Sequence, residues 1–200
     1  MSYELKSADA LVGELCSYGE SRLRVRGPTR ELRGPYISFL GGTEVFGRFV
    51  ERPFPQGTEN QLGLACINLG SVNAGVDAFL HDTTIMDIAG AGDLTILQGM
   101  GAQDLTNSFY KVHPRRNDRF LGMLNRNPLK SDEIDFTDYH FNKHLLTSLR
   151  QNSAERFARV CIELQDTWTR RMERLISRLN GRAVLLWLRG WWRPHWGGVA

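Results

Sequence analysis

The chain has 200 residues, 42% of them hydrophobic and 24% charged, and a formal net charge of +3. That is enough for one domain with a sizeable core, and it excludes a collagen-like chain, a disordered tail and a polytopic membrane protein. The three cysteines, Cys16, Cys66 and Cys161, lie far apart without a CxxC pattern, which argues against a zinc ribbon or disulfide scaffold and for a reducing compartment.

The opening MSYELKSADALVGELC carries Glu4, Asp9 and Glu14 and no long apolar core, so it does not read as a secretory signal. Residues 1–35 alternate basic and apolar positions (Arg22, Leu23, Arg24, Val25, Arg26) before the turn signals Gly27-Pro28 and Gly34-Pro35. This predicts an edge strand or extended arm. The arm's arginines lack the interleaved aromatics that stack bases, and the small net charge also argues against a nucleic-acid partner.

Residues 36–188 then alternate short apolar runs with helical patterns. Tyr36 to Leu40 reads as a buried strand ending in Gly41-Gly42, and the stretch to Leu64 as a helix interrupted by Pro53 and Pro55. Ala65 to Gly70 is the second strand, residues 76–90 a helix, and Asp93 to Gln98 the third strand, followed by the loop GMGAQDLTN. Helical spacing of Phe157, Val160, Leu164, Trp168, Met172 and Leu175 predicts a long helix over 153–179, stopped by Asn180-Gly181. Ala183 to Leu188 is the fourth strand. Strands alternating with helices predict a three-layer α/β/α fold with a flavodoxin-like parallel sheet. The longest apolar run falls far short of the ~20 residues of a membrane helix, so a soluble, cytoplasmic protein is expected. The Trp- and Arg-rich residues 189–200 differ from the rest, and the C-terminal part reads as truncated.

Three strand ends carry unusual loops: Gly41-Gly42-Thr43, Asn68-Leu69-Gly70 and Gly101-Ala102-Gln103-Asp104. In order and spacing they resemble the SGNH, or GDSL-type, hydrolase superfamily, whose strands end in Gly-Asp-Ser, Asn-x-Gly and Gly-x-Asn-Asp. The resemblance covers roughly residues 36–110. Under it Thr43 stands at the nucleophile's position, and Gly70, Asn73 and Gln103 at those of the oxyanion donors. The chain departs from the pattern in the serine-to-threonine change, in Gly42 for aspartate, in Gln103 for asparagine, and in having no Asp-x-x-His anywhere. The segments RGP, FLGGTE, NAGVD and HPRRNDRF also look like a bacterial domain family of unknown function, which carries no activity with it.

His113 is the candidate substitute base, with Asp104 or Asp118 to orient it. Arg115, Arg116 and Arg119 beside it have the planar donors that clamp phosphate, sulfate or carboxylate. His140 and His144 share a helix face, with Asp135 or Asp138 as third ligand, but the aromatic neighbours Tyr139 and Phe141 favour packing over metal. Neither metal nor cofactor is expected. Two readings follow: an SGNH-like domain whose strand-end pocket takes an ester-bearing or anionic small molecule, a decorated saccharide being the candidate, or a non-catalytic anion- or saccharide-binding domain. An acyl or sulfuryl transferase is a weaker third, carried only by the arginines.

Overall fold

The computed structural model describes residues 13–124 and 139–188. The arm forms a small antiparallel pair, β1 (Leu15–Cys16) and β2 (Val25–Arg26). It leads into β3 (Tyr36–Leu40), α1 (Thr43–Phe46), α2 (Phe54–Leu62), β4 (Ala65–Asn68), α3 (Val76–Leu80), α4 (Thr83–Ala91) and β5 (Leu94–Gln98). A 3-10 turn (Ala102–Asp104), the hairpin β6 (Tyr110–Val112) and β7 (Phe120–Met123), α5 (Asn142–Asn152), α6 (Ala154–Ser177) and β8 (Ala183–Leu186) follow. The main sheet is wholly parallel in the order β4-β3-β5-β8, the flavodoxin-like order.

Alternation along β3 explains the layers. Tyr36, Ser38 and Leu40 face one side, where Tyr36 OH donates to the Ile88 carbonyl at 2.7 Å and Ser38 Oγ to that of Ala89 at 3.3 Å, both in α4. Ile37 and Phe39 face the other side, where the Phe39 ring meets Phe54 of α2 edge-on at 5.6 Å. The larger core, with Leu40, Ile67, Phe79, Ile85, Leu97 and Leu175, lies between the sheet and α3, α4 and α6. The result is a three-layer α/β/α arrangement. A further cluster (Tyr110, Phe120, Leu145, Leu149, Val160, Leu164) fastens the hairpin to α5 and the first half of α6.

Four elements differ from expectation. The helix expected over 76–90 is two helices, because the Asp82 carboxylate accepts the Ile85 N–H at 3.0 Å and caps a new start. The stretch to Leu64 also divides: Gly47 takes a left-handed φ of 73° that ends α1, and Pro53 precedes α2. The fourth strand stops at Leu186. The sequence pattern predicts no strand between 99 and 152, yet β6 and β7 lie there.

The arm is tied down by its arginines. Arg26 is 8% exposed, and its guanidinium donates to the carbonyls of Gly47 at 3.1 Å and Glu51 at 2.7 Å. Arg30 pairs with Glu59 at 2.7 Å. Among the described residues no helix is long and apolar enough to cross a membrane.

Candidate functional site

Strand order reverses between β3 and β5, where a crevice opens at the carboxyl ends of a parallel sheet. A cleft of about 320 Å³ lies there, walled by the loops after β3, β4 and β5. A second hollow of about 570 Å³ adjoins it, sharing Gln103, Asp104 and Asp118 and continuing over Phe141, His144 and Thr147.

The loops are bonded to one another. Gly41 is buried, and a Cβ there would run into Val45 and Gln98, so only glycine allows the chain to turn. The N–H of Gly42 donates to Gln98 Oε1 at 3.0 Å, and Gln98 Nε2 donates to Glu44 Oε2 at 2.9 Å. Thr43 Oγ1 accepts the Asn73 N–H at 3.0 Å and donates to Asn73 Oδ1 at 3.3 Å. Asn73 has a left-handed φ of 59°, which asparagine tolerates better than most residues. The third loop is held by Trp168 Nε1, which donates to the Met100 carbonyl at 2.7 Å, and by Tyr110 OH, which donates to that of Gln103 at 2.8 Å.

Of the residues picked out by motif, Thr43, Asn73 and Gln103 line the cleft together. Gly70 lies behind it: its N–H donates to Asn68 Oδ1 at 2.9 Å, and a Cβ would meet the backbone of Val45 and Phe46. That glycine lets the second loop lie against α1. His113 lies outside the lining, its Nδ1 accepting the N–H groups of Arg115 at 3.2 Å and Arg116 at 3.1 Å. Arg115 and Arg116 are exposed on that turn, while Arg119 stacks on the Phe141 ring at 4.5 Å from its centroid. None of the three arginines lines either hollow.

The helix face expected to carry both His140 and His144 is not formed, because α5 starts at Asn142 and only His144 lies on it. The Tyr139 ring packs edge-on to His144 at 4.9 Å, and among the described residues no group of three or more His, Cys, Asp or Glu is placed to hold a metal ion. Asp135, Asp138 and the tail 189–200 lie outside the described residues.

Motif reading passed over Glu44 and Gln98, which with Asp118 supply much of the cleft's polarity, and Asn117 and Asn142, which hold it together. Gln98 had a signal, a polar residue closing an apolar strand. Asn117 is fully buried: Oδ1 accepts the N–H groups of Gly75 at 2.8 Å and Ala78 at 3.2 Å, and Nδ2 donates to the His113 carbonyl at 2.8 Å. Asn142, also fully buried, donates through Nδ2 to Asp104 Oδ1 at 3.2 Å and to the Asn117 carbonyl.

Carboxyl groups dominate the electrostatics. Burial, reinforced by the neighbouring carboxylates of Asp118 and Glu44 and only partly offset by Asn142, raises Asp104 to about 7. Burial also raises Asp118, against the opposing charges of Arg116 and Arg119. Among the described residues, the lining of the first cleft thus combines three carboxyls (Glu44, Asp104, Asp118) with three carboxamides (Asn73, Gln98, Gln103) and no cationic side chain.

A family model described as a domain of unknown function, DUF6473, matches residues 1–194. The chain belongs to that family. Neither a curated protein nor a solved structure matches it.

Proposed function

We propose that the chain is an SGNH-hydrolase-like domain whose strand-end cleft holds a small, hydroxyl-rich molecule, an ester-bearing saccharide. The observation that carries this reading is the cleft at the switch point, where Thr43, Asn73 and Gln103 meet from three loops in the superfamily's chain order. Carboxylates and carboxamides are the groups that bond sugar hydroxyls, accepting and donating in fixed planes. The same lining disfavours an anion, since three carboxyls face the ligand and, among the described residues, no arginine lines the cleft.

A second reading, a binding domain without catalysis, draws on the bonding of Thr43. Its hydroxyl donates to an amide oxygen, and among the described residues no imidazole accompanies it in the first cleft. Saturation-transfer NMR with O-acetylated monosaccharides and their free sugars tests the shared part of both readings. Transfer to sugar protons is expected with the wild type and is expected to fall several-fold in Gln98→Ala. Absence of transfer from every sugar, with transfer from phenyl phosphate or phenyl sulfate instead, would overturn the saccharide reading.

A further inference from the structure

We infer that Asp104 is the general base of the cleft, activating a water molecule against the ligand's ester carbonyl, with Thr43 as a positioning hydroxyl. This rests on the reading of the cleft as an ester-binding site.

Among the described residues the geometry removes the alternatives in turn. A hydroxyl becomes a nucleophile when an adjacent base takes its proton. The Thr43 proton points at Asn73 Oδ1, an amide oxygen far too weakly basic for that task, and Thr43 Oγ1 accepts the Asn73 N–H. His113 spends Nδ1 on capping its own turn and does not line the cleft. His144 lines only the outer hollow.

Asp104 lines both hollows, at the point where they join. Its carboxyl is held from two sides: Oδ1 accepts Asn142 Nδ2 at 3.2 Å, and Oδ2 accepts Gln103 Nε2 at 3.3 Å. Asn142 is itself anchored, its N–H donating to the Asp118 carbonyl at 3.1 Å. Asn142 Oδ1 is buried without a partner, which leaves one acceptor in the amide that holds the carboxyl. The charged and titratable groups around Asp104 are the carboxyls of Asp118 and Glu44, the Tyr110 phenol, and Lys143 and His144 in the outer hollow. With its titration raised to about 7, the group is present in both protonation states near neutrality, as a proton carrier must be.

The step balances without oxidant or reductant. As the water oxygen bonds to the carbonyl carbon, Asp104 takes one water proton, and the carboxamide N–H groups of Asn73 and Gln103 face the oxyanion. The tetrahedral adduct then breaks its bond to the alcohol oxygen, and the proton held by Asp104 passes to that departing oxygen. Ester and water become acid and alcohol.

The test uses p-nitrophenyl acetate with the full chain, Asp104→Asn, Asp104→Glu and His144→Gln, each checked for folding by circular dichroism. The wild type is expected to hydrolyse the ester with kcat/KM rising through one ionisation near pH 7. Asp104→Asn is expected to lose about 100-fold or more and to flatten that profile, while Asp104→Glu recovers part of the rate together with the ionisation. Incubation with a fluorophosphonate is expected to leave Thr43 unmodified by mass spectrometry. An adduct on Thr43, an undiminished Asp104→Asn, or a loss confined to His144→Gln overturns the proposal. So does a folded wild type that leaves the ester at its buffer rate. If that inert protein still binds the sugars of the NMR experiment, the saccharide reading stands and only the role of Asp104 falls.

Discussion

Asn117 accepts the N–H groups that open α3 and donates to the carbonyl of His113, while its own carbonyl receives the amide of Asn142. One buried side chain therefore ties the second loop to the hairpin, and through Asn142 to Asp104. Its truncation leaves the Gly75 N–H and the His113 carbonyl without that partner, each at a cost of about 1–3 kcal/mol, while the Ala78 N–H keeps the Gly75 carbonyl at 3.2 Å. Asn117→Ala is expected to lower stability by about 3 kcal/mol in urea denaturation, and a loss below about 1 kcal/mol would show the network to be dispensable. Locally, Asn117-Asp118 reads as a pair of turn formers, and that reading is sound as far as it goes. The rest was illegible because the bonded amides lie 42 and 39 residues away. Gly70 teaches the converse: a motif glycine can owe its place to the backbone of Val45 and Phe46 packed against it.

At the scale of elements, the buried strands were legible because a run such as Tyr36–Leu40, all five residues buried, has few other uses in a chain of this size. The amphipathic spacing of α6 was equally plain, and Ser153 caps it by accepting the Arg156 N–H at 3.3 Å. Helix α4 was misjoined to α3 because Asp82 looks like any polar residue on a helix face. Its carboxylate also accepts Ser21 Oγ at 2.8 Å and the Arg22 N–H at 3.2 Å, so one side chain both starts α4 and anchors the arm. Asp82→Ala is expected to cost about 1–2 kcal/mol, the upper part of the range for a lost N-cap. Hydrogen exchange should then quicken both in the first turn of α4 and around Ser21. Faster exchange in α4 alone would separate the two roles. The hairpin escaped notice because Tyr110–Val112 is short and becomes a strand only by pairing with Phe120–Met123 and packing on α5.

For the molecule as a whole, three carboxyls, buried Asp77 and half-buried Asp104 and Asp118, are all raised by desolvation. Asp77 is raised in spite of Arg171, whose Nε lies 3.2 Å from its Oδ1. A raised carboxyl means that the folded state holds its proton more tightly than the unfolded chain. Stability from this source is greatest at acid pH and declines as pH rises through the folded value, which for Asp104 is a window from the usual 3.8 to about 7. Asp104→Asn removes that dependence. The gap in Tm between Asp104→Asn and wild type is therefore expected to be small at pH 4 and to widen in favour of the variant up to pH 8. A gap independent of pH would show that Asp104 titrates normally. The same group would then combine a cost in stability with a role in proton transfer, as catalytic carboxyls do.

The strands of the main sheet, their alternation with helices and the glycine-marked loops were already determined by local residue pattern, because burial and turn chemistry act over a few residues. The meeting of Thr43 with Asn73, the retirement of His113 to its own turn, and the support of Asp104 by Asn142 were decided only by the tertiary structure. Each of these depends on side chains from separate loops converging at one sheet edge, and the direction of a side chain across such a gap is set by packing and hydrogen-bond partners distant in the chain.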